Sequence, residues 1–354
     1  MESVGYATIA GLGAIMALVL LLPFSIKRVE EELEIFLLIM GAASVTISGQ
    51  WSKTLVTHSL TEPIMIAGAV LCAGLLFRKF RSGVEAVVTR LTRRLGLPMA
   101  VFMIVAAIGF ASSVITAIIA ALVLCEVISA LKLARKTELR LTVYACYAIG
   151  LGAALTPIGE PLSTIVVSKL KEPPHNANFS YLLRLVGIWI VPGVLLLAGM
   201  AAHQVRKAET GQHHGLRQDT AESAGAVLMR AFKVYVFVGA LVLLGAGLKP
   251  LAEITVTKLS SAQLYWLNIL SAALDNATLA AAEIVPSMTE QKIIAILMGL
   301  LIAGGILIPG NIPNIISAAK LNIKSREWAA FAAPIGIALM AVYFILLITV
   351  GHMA

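Results

Sequence analysis

Asp275 lies in an otherwise apolar stretch, within the run Leu274-Asp275-Asn276-Ala277-Thr278. An acid in a membrane is costly unless paired, hydrated or protonated, and such acids are functional candidates by default. No Lys or Arg adjoins Asp275 in sequence. A group of this kind holds either a proton or a metal cation, because desolvation favours its neutral form and a bound cation its ionised form. Two further runs interrupt apolar segments: Pro157-Ile158-Gly159-Glu160-Pro161 and Pro309-Gly310-Asn311-Ile312-Pro313. Each proline lacks an N–H and clashes with the preceding turn, so both runs predict broken helices. Polar groups accompany them: Thr156, Gly159, Glu160, Ser163 and Thr164 at the first, Asn311, Asn314 and Ser317 at the second. Unwound carbonyls coordinate cations and half-helix amino termini attract anions. The carboxylates favour a cation, with Asp275, Asn276, Glu160 and Asn311 as candidate Na⁺ ligands.

The elements that must position these residues follow from composition. The 354 residues are 59% hydrophobic and only 13% charged, against roughly 25% charged in soluble domains. The chain therefore reads as an all-α integral membrane protein. Eight segments can span a bilayer, near 5–24, 35–51, 62–77, 141–170, 181–203, 229–248, 291–320 and 328–350. Two others read as re-entrant hairpins: 98–131, interrupted at Ser112-Ser113, and 262–288, interrupted at Asp275-Asn276. Non-helical backbone at that depth must be enclosed by protein or face water. Segment 83–95 carries apolar residues and arginines at helical spacing, and is expected along the cytoplasmic interface or as a solvated loop helix.

Charge sets orientation. The net charge of +8 is not a nucleic-acid signal, because the bases flank apolar segments. With the amino terminus outside, one side collects 20 Lys and Arg and the other 7, so the rich side is expected to be cytoplasmic. Both termini then lie outside the inner membrane. Cys72, Cys125 and Cys146 sit singly in apolar stretches and suggest neither a disulfide framework nor a zinc site. No cofactor is expected beyond Na⁺ as a coupling or transported ion.

The chain also divides. Residues 1–61 read as two scaffold helices, 62–203 as a first repeat, 204–228 as a polar cytoplasmic linker containing His213 and His214, and 229–354 as a second repeat. Ser113-Val114-Ile115-Thr116 answers Asp275-Asn276-Ala277-Thr278, the two proline runs answer each other, and Lys169-Leu170 answers Lys320-Leu321. Three crossings per repeat place the second upside down relative to the first. Inverted repeats with matching broken helices point to a secondary transporter. The hairpin residues Ser112, Ser113, Thr116, Asp275, Asn276 and Thr278 would then meet the broken helices near the midplane. Glu160 fits a ligand or an amino-terminal cap of a half-helix at 162–170. Glu283, seven residues past Asn276, fits a proton relay on the outer path or an acid that snorkels outward. Glu126 reads as structural, near the cytoplasmic surface.

These motifs resemble the ion transporter superfamily, which includes sodium/proton antiporters of the NhaD type, arsenite permeases and citrate and dicarboxylate carriers. LDNAT at 274–278 is similar to the hairpin motif of the NhaD-like branch. TPIGEPLSTI at 156–165 and PGNIPNIISA at 309–318 are similar to a small branch predicted to carry cations. The resemblance covers about residues 98–350 and implies inverted repeats, a homodimer and sodium/proton exchange by alternating access. The chain departs from the dicarboxylate carriers, whose two tips read Ser-Asn-Thr, and it is shorter than NhaD-type proteins. Two alternatives stay open: a sodium-coupled carrier of a small carboxylate or oxyanion, and a sodium-translocating subunit of a larger complex. No protease-type Ser/His, paired-aspartate or HExxH constellation suggests an enzyme. Replacing Asp275 by Asn keeps size and hydrogen bonding but removes the titratable charge. Asp275→Asn is therefore expected to abolish sodium-driven proton movement in liposomes while the folded protein still inserts; wild-type flux in that variant would remove Asp275 from the coupling.

Overall fold

The computed structural model describes residues 6–26, 28, 29, 32–206, 224–256, 259–274 and 276–350. Among them every regular element is helical. In chain order these are α1 (Tyr6–Ser25), α2 (Leu33–Ser48), α3 (Lys53–Leu95), α4 (Leu97–Ile115), α5 (Ala117–Leu131), α6 (Arg135–Ala153), α7 (Pro161–Lys169) and α8 (Tyr181–Val205). Then follow α9 (Ala224–Val256), α10 (Ser261–Leu267), a 3₁₀ turn (Asn268–Ala272), α11 (Asn276–Glu283), α12 (Glu290–Ala303), a second 3₁₀ turn (Ile308–Gly310), α13 (Ile312–Leu321) and α14 (Ser325–Thr349). Six helical stretches of the described residues are long and apolar enough to cross a bilayer: Tyr6–Pro23, Lys53–Cys72, Leu97–Ile115, Tyr181–Val205, Val227–Leu251 and Ser325–Thr349. Leu33–Ser48 and Ala117–Leu131 are apolar but shorter. The two segments expected at 141–170 and 291–320 are each split, into α6 with α7 and α12 with α13; α7, α12 and α13 are too short to span, and α6, though 19 residues long, is charged through its first turns.

Two features differ from the sequence reading. The expected span at 62–77 and the interfacial helix at 83–95 are one continuous helix, α3. Ser52 caps its start by accepting from the Leu55 amide at 3.0 Å, and it runs on until Gly96, whose φ of +77° stops it. Nothing between Arg78 and Gly83 lacks a helix-compatible backbone except a single glycine, whose cost is about 1 kcal/mol. The first hairpin does not turn at Ser112-Ser113 either. Their hydroxyls donate back to Gly109 O at 2.6 Å and Phe110 O at 2.7 Å, so the helix absorbs them. The chain turns at Thr116, at φ +74°, and Thr116 Oγ1 then accepts from the Ile119 amide to open α5. Most of the expected linker, residues 207–223, lies outside the described residues.

The first halves of the two broken helices form the centre. Every residue of α6 from Leu141 to Ala153 is buried, as is every residue of α12 from Ala295 to Ala303. α4 and α8 pack on α6; α10 and α14 pack on α12. To one side, α2 and α9 pack closely along their length. Glycine permits that approach: a Cβ on Gly41 would lie 2.8 Å from Ala240 O, and one on Gly247 would collide with Ser44. Overpacking of this kind costs about 1–3 kcal/mol. Gly41→Leu and Gly247→Leu should each lower the thermal midpoint in detergent, followed by tryptophan fluorescence. Gly13→Leu and Gly199→Leu, which have open space, should not.

Candidate functional site

Each break begins where backbone donors and acceptors lose their helical partners. At the first, between Ala153 and Pro161, the neighbouring hairpin supplies replacements. The Ala117 amide donates to Gly159 O at 2.9 Å. Thr156 Oγ1 donates to Ser113 O at 2.5 Å and accepts from the Ile158 amide, while Ser112 Oγ reaches Ile149 O at 3.1 Å. A side chain at Gly152 would strike the Gly109 carbonyl, so the hairpin sits directly on the backbone of α6. Thr164 Oγ1 donates to Pro157 O within the break, although the residue itself is exposed.

The second break is built alike. Ser271 Oγ donates to Leu300 O at 3.2 Å, and Asn314 Nδ2 donates to Gly304 O at 2.8 Å and Leu307 O at 2.9 Å. Asn276 packs on the same glycine, since a Cβ on Gly304 would lie 2.5 Å from its amide nitrogen. Trp328 Nε1 donates to Gly305 O at 3.2 Å. Asn311 lies against Gly150 of α6, so the second break packs on the helix that leads into the first. Cys146 Sγ reaches Ser317 Oγ at 3.3 Å across the same boundary.

A common register emerges. Ile149 and Leu300, Gly159 and Gly310, Glu160 and Asn311, Ser163 and Asn314, and Lys169 and Lys320 are each 151 residues apart. Glu160 and Asn311 are both extended residues that immediately precede a half-helix, and neither side chain caps it. Glu160 is buried yet does not act as the cap that the sequence left open. Ser163 and Asn314 occupy the third position of their half-helices, and both are fully buried. Among the described residues, Ser163 Oγ and Asn314 Oδ1 have no hydrogen-bond partner, nor does either amide atom of Asn276. Buried polar atoms without partners are rare and ask for an ion or water. Asp275 lies outside the described residues; Thr278 lies on α11 with its side chain outside them.

The hairpin register differs from the sequence pairing by three residues. The second limbs start at Ala117 and Asn276, so Asp275 answers Thr116 rather than Ser113, and Ser112 answers Ser271. Ser271 was missed because its neighbours carry no proline or glycine to mark it.

Two lysines tie the halves together. Lys169, at the end of α7, donates to Ala281 O and to Ile284 O at the end of α11. Lys320, at the end of α13, pairs with Glu126 of α5 at 2.5 Å, and both side chains are buried. Lys320, counted among loop charges in the sequence, is buried beside Glu126 instead, since α5 and α13 pack along each other. The charge bias survives without either lysine. A cavity of about 570 Å³ runs beside α13 from Ile308 at the break to Asn322 and Lys324, flanked by the Glu34–Lys233 pair.

Helices of this apolarity around two enclosed helix breaks define a multi-pass, all-α membrane protein. The chain belongs to the family described as protein of unknown function DUF1646, whose signature matches residues 9–350. No curated protein matches it.

Removing one member of a buried ion pair costs about 3–5 kcal/mol, while replacing both by apolar groups is often neutral. Glu126→Leu and Lys320→Met should each lower stability by that order, and the double variant should recover most of it. A double-mutant cycle of thermal unfolding in detergent checks this; additive losses would mean that the pair is not coupled.

Proposed function

We propose that the protein is a secondary transporter that exchanges Na⁺ for H⁺ by alternating access. One observation carries the reading: Ser163 and Asn314, equivalent residues of two half-helices, each present a buried oxygen that lacks a donor. Hydroxyl and amide oxygens are hard ligands suited to an alkali cation, and Asn276 beside Gly304 adds a third. Glu160 and Asp275 supply the negative charge, and competition between sodium and a proton for these acids couples the two fluxes. In this reading 98–131 and 262–288 are re-entrant, the repeats have opposite orientation, and the cavity beside α13 is the cytoplasmic access route. Lys169 and Lys320 then tie each repeat to the other's hairpin, so the breaks move as one body.

A second reading has its own support. The amino termini of α7 and α13 lack side-chain caps, and such termini bind anions. A sodium-coupled carrier of a small carboxylate or oxyanion would use them for its cargo.

The pH dependence separates the two. A proton and a sodium ion that share a site must compete, so apparent sodium affinity in liposomes with a pH-sensitive dye should improve as pH rises and level off once the acid is ionised. High sodium should restore an acid-inhibited rate. Asn314→Leu should weaken sodium by roughly tenfold or more, about 1.4 kcal/mol. Flux that requires an added anion, or sodium affinity indifferent to pH, favours the carrier instead.

A further inference from the structure

Glu283 ends α11, away from both breaks, and is only 2% exposed. It does not snorkel outward. Asn268, on the 3₁₀ turn of the other limb and equally enclosed, borders the same pocket while its amide nitrogen donates to Ile296 O at 3.3 Å. Among the described residues, Glu283 Oε2 and Asn268 Oδ1 have no hydrogen-bond partner. Both residues border a cavity of about 40 Å³ whose remaining wall is apolar, formed by Met16 of α1, Leu248 and Leu251 of α9, and Leu279. A single water needs about 10–15 Å³ of such space. A carboxylate enclosed in hydrocarbon without a counter-ion is untenable, and it neutralises instead.

No described cation supplies that counter-ion. α7, α9 and α12 pack against α11. From α7, Lys169 directs its ammonium at the carbonyls of Ala281 and Ile284. On α12, Glu290 is exposed and Lys292 Nζ bonds Leu259 O; on α9, Lys249 is exposed. His175 lies against Pro286 O and Met288 O in the loop beyond. Val285, Pro286 and Ser287 are exposed, so the chain reaches the protein surface within two to four residues of Glu283.

We propose that Glu283 and Asn268 form a proton-binding site separate from the helix breaks, with the small cavity holding the water through which the proton enters. The carboxylate takes up one proton and becomes a donor, and the unpartnered Asn268 oxygen is an acceptor in the same pocket. A role as the proton-carrying group of the exchange rests on the antiport reading above; protonation of the pocket does not.

The test is infrared difference spectroscopy of purified full-length protein between acid and alkaline buffer. A protonated-carboxyl C=O band should appear on the acid side, vanish in Glu283→Gln, and shift in Asn268→Leu as its hydrogen bond is lost. A spectrum unchanged by either substitution would overturn the site. Liposome flux separates the second layer. If the band is lost in Glu283→Gln but the wild type shows no sodium-driven proton movement, the antiport reading fails and the site stands. If the band is lost and flux is undiminished, the site stands and its role in exchange is refuted.

Discussion

A helix interrupted in a low-dielectric interior strands backbone N–H and C=O groups, and only protein or enclosed water can satisfy them. The rest of this molecule depends on how that demand is met. At the first break the answer comes from the α4–α5 hairpin, through the Ala117 amide to Gly159 O and Thr156 Oγ1 to Ser113 O. At the second it comes from Asn314, which bridges Gly304 O and Leu307 O. Small residues make these contacts possible. Gly152 and Gly304 let a hairpin lie on helix backbone where any Cβ would intrude.

Meeting that demand with side-chain amides and hydroxyls has a consequence. An asparagine that donates twice through its nitrogen still carries an oxygen, and Asn314 Oδ1 is left buried with nothing to accept from. Ser163 repeats the pattern at the equivalent position. The scaffolding of the breaks thus generates the orphan acceptors on which the proposed cation site is built. The lysines at the far ends of the half-helices share the same equivalence but not the same chemistry: Lys169 meets helix-terminal carbonyls, and Lys320 meets Glu126. The second is a buried ion pair, whose desolvation makes it more useful for fixing register than for stability.

Both breaks were legible in the sequence because proline leaves an unambiguous mark: Pro161 and Pro313 occupy the first or second position of their half-helices, where a missing N–H costs nothing. Glu160 and Asn311, the residues just before, were legible with them. The hairpin turns were not. Ser112 and Ser113 look like an interruption in an apolar run, but their hydroxyls bond to the preceding turn and leave the helix intact. Asn268 and Ser271 had no marker, since their partners Ile296 and Leu300 lie 28 and 29 residues on. Burial of Lys320 was hidden for the same reason. A lysine near a span end reads as a loop charge until the packing of α5 against α13 puts an acid beside it.

Under the antiport proposed above, sodium and protons compete for one enclosed set of oxygens and carboxyls. The most direct measurement of that competition is proton release from purified protein in weakly buffered detergent solution on addition of sodium chloride, with choline chloride as the control. Competition should give a saturable release that sodium alone elicits and that fades at alkaline pH, where no proton remains to displace. Saturable sodium binding without proton release, or release equal with choline, would contradict it.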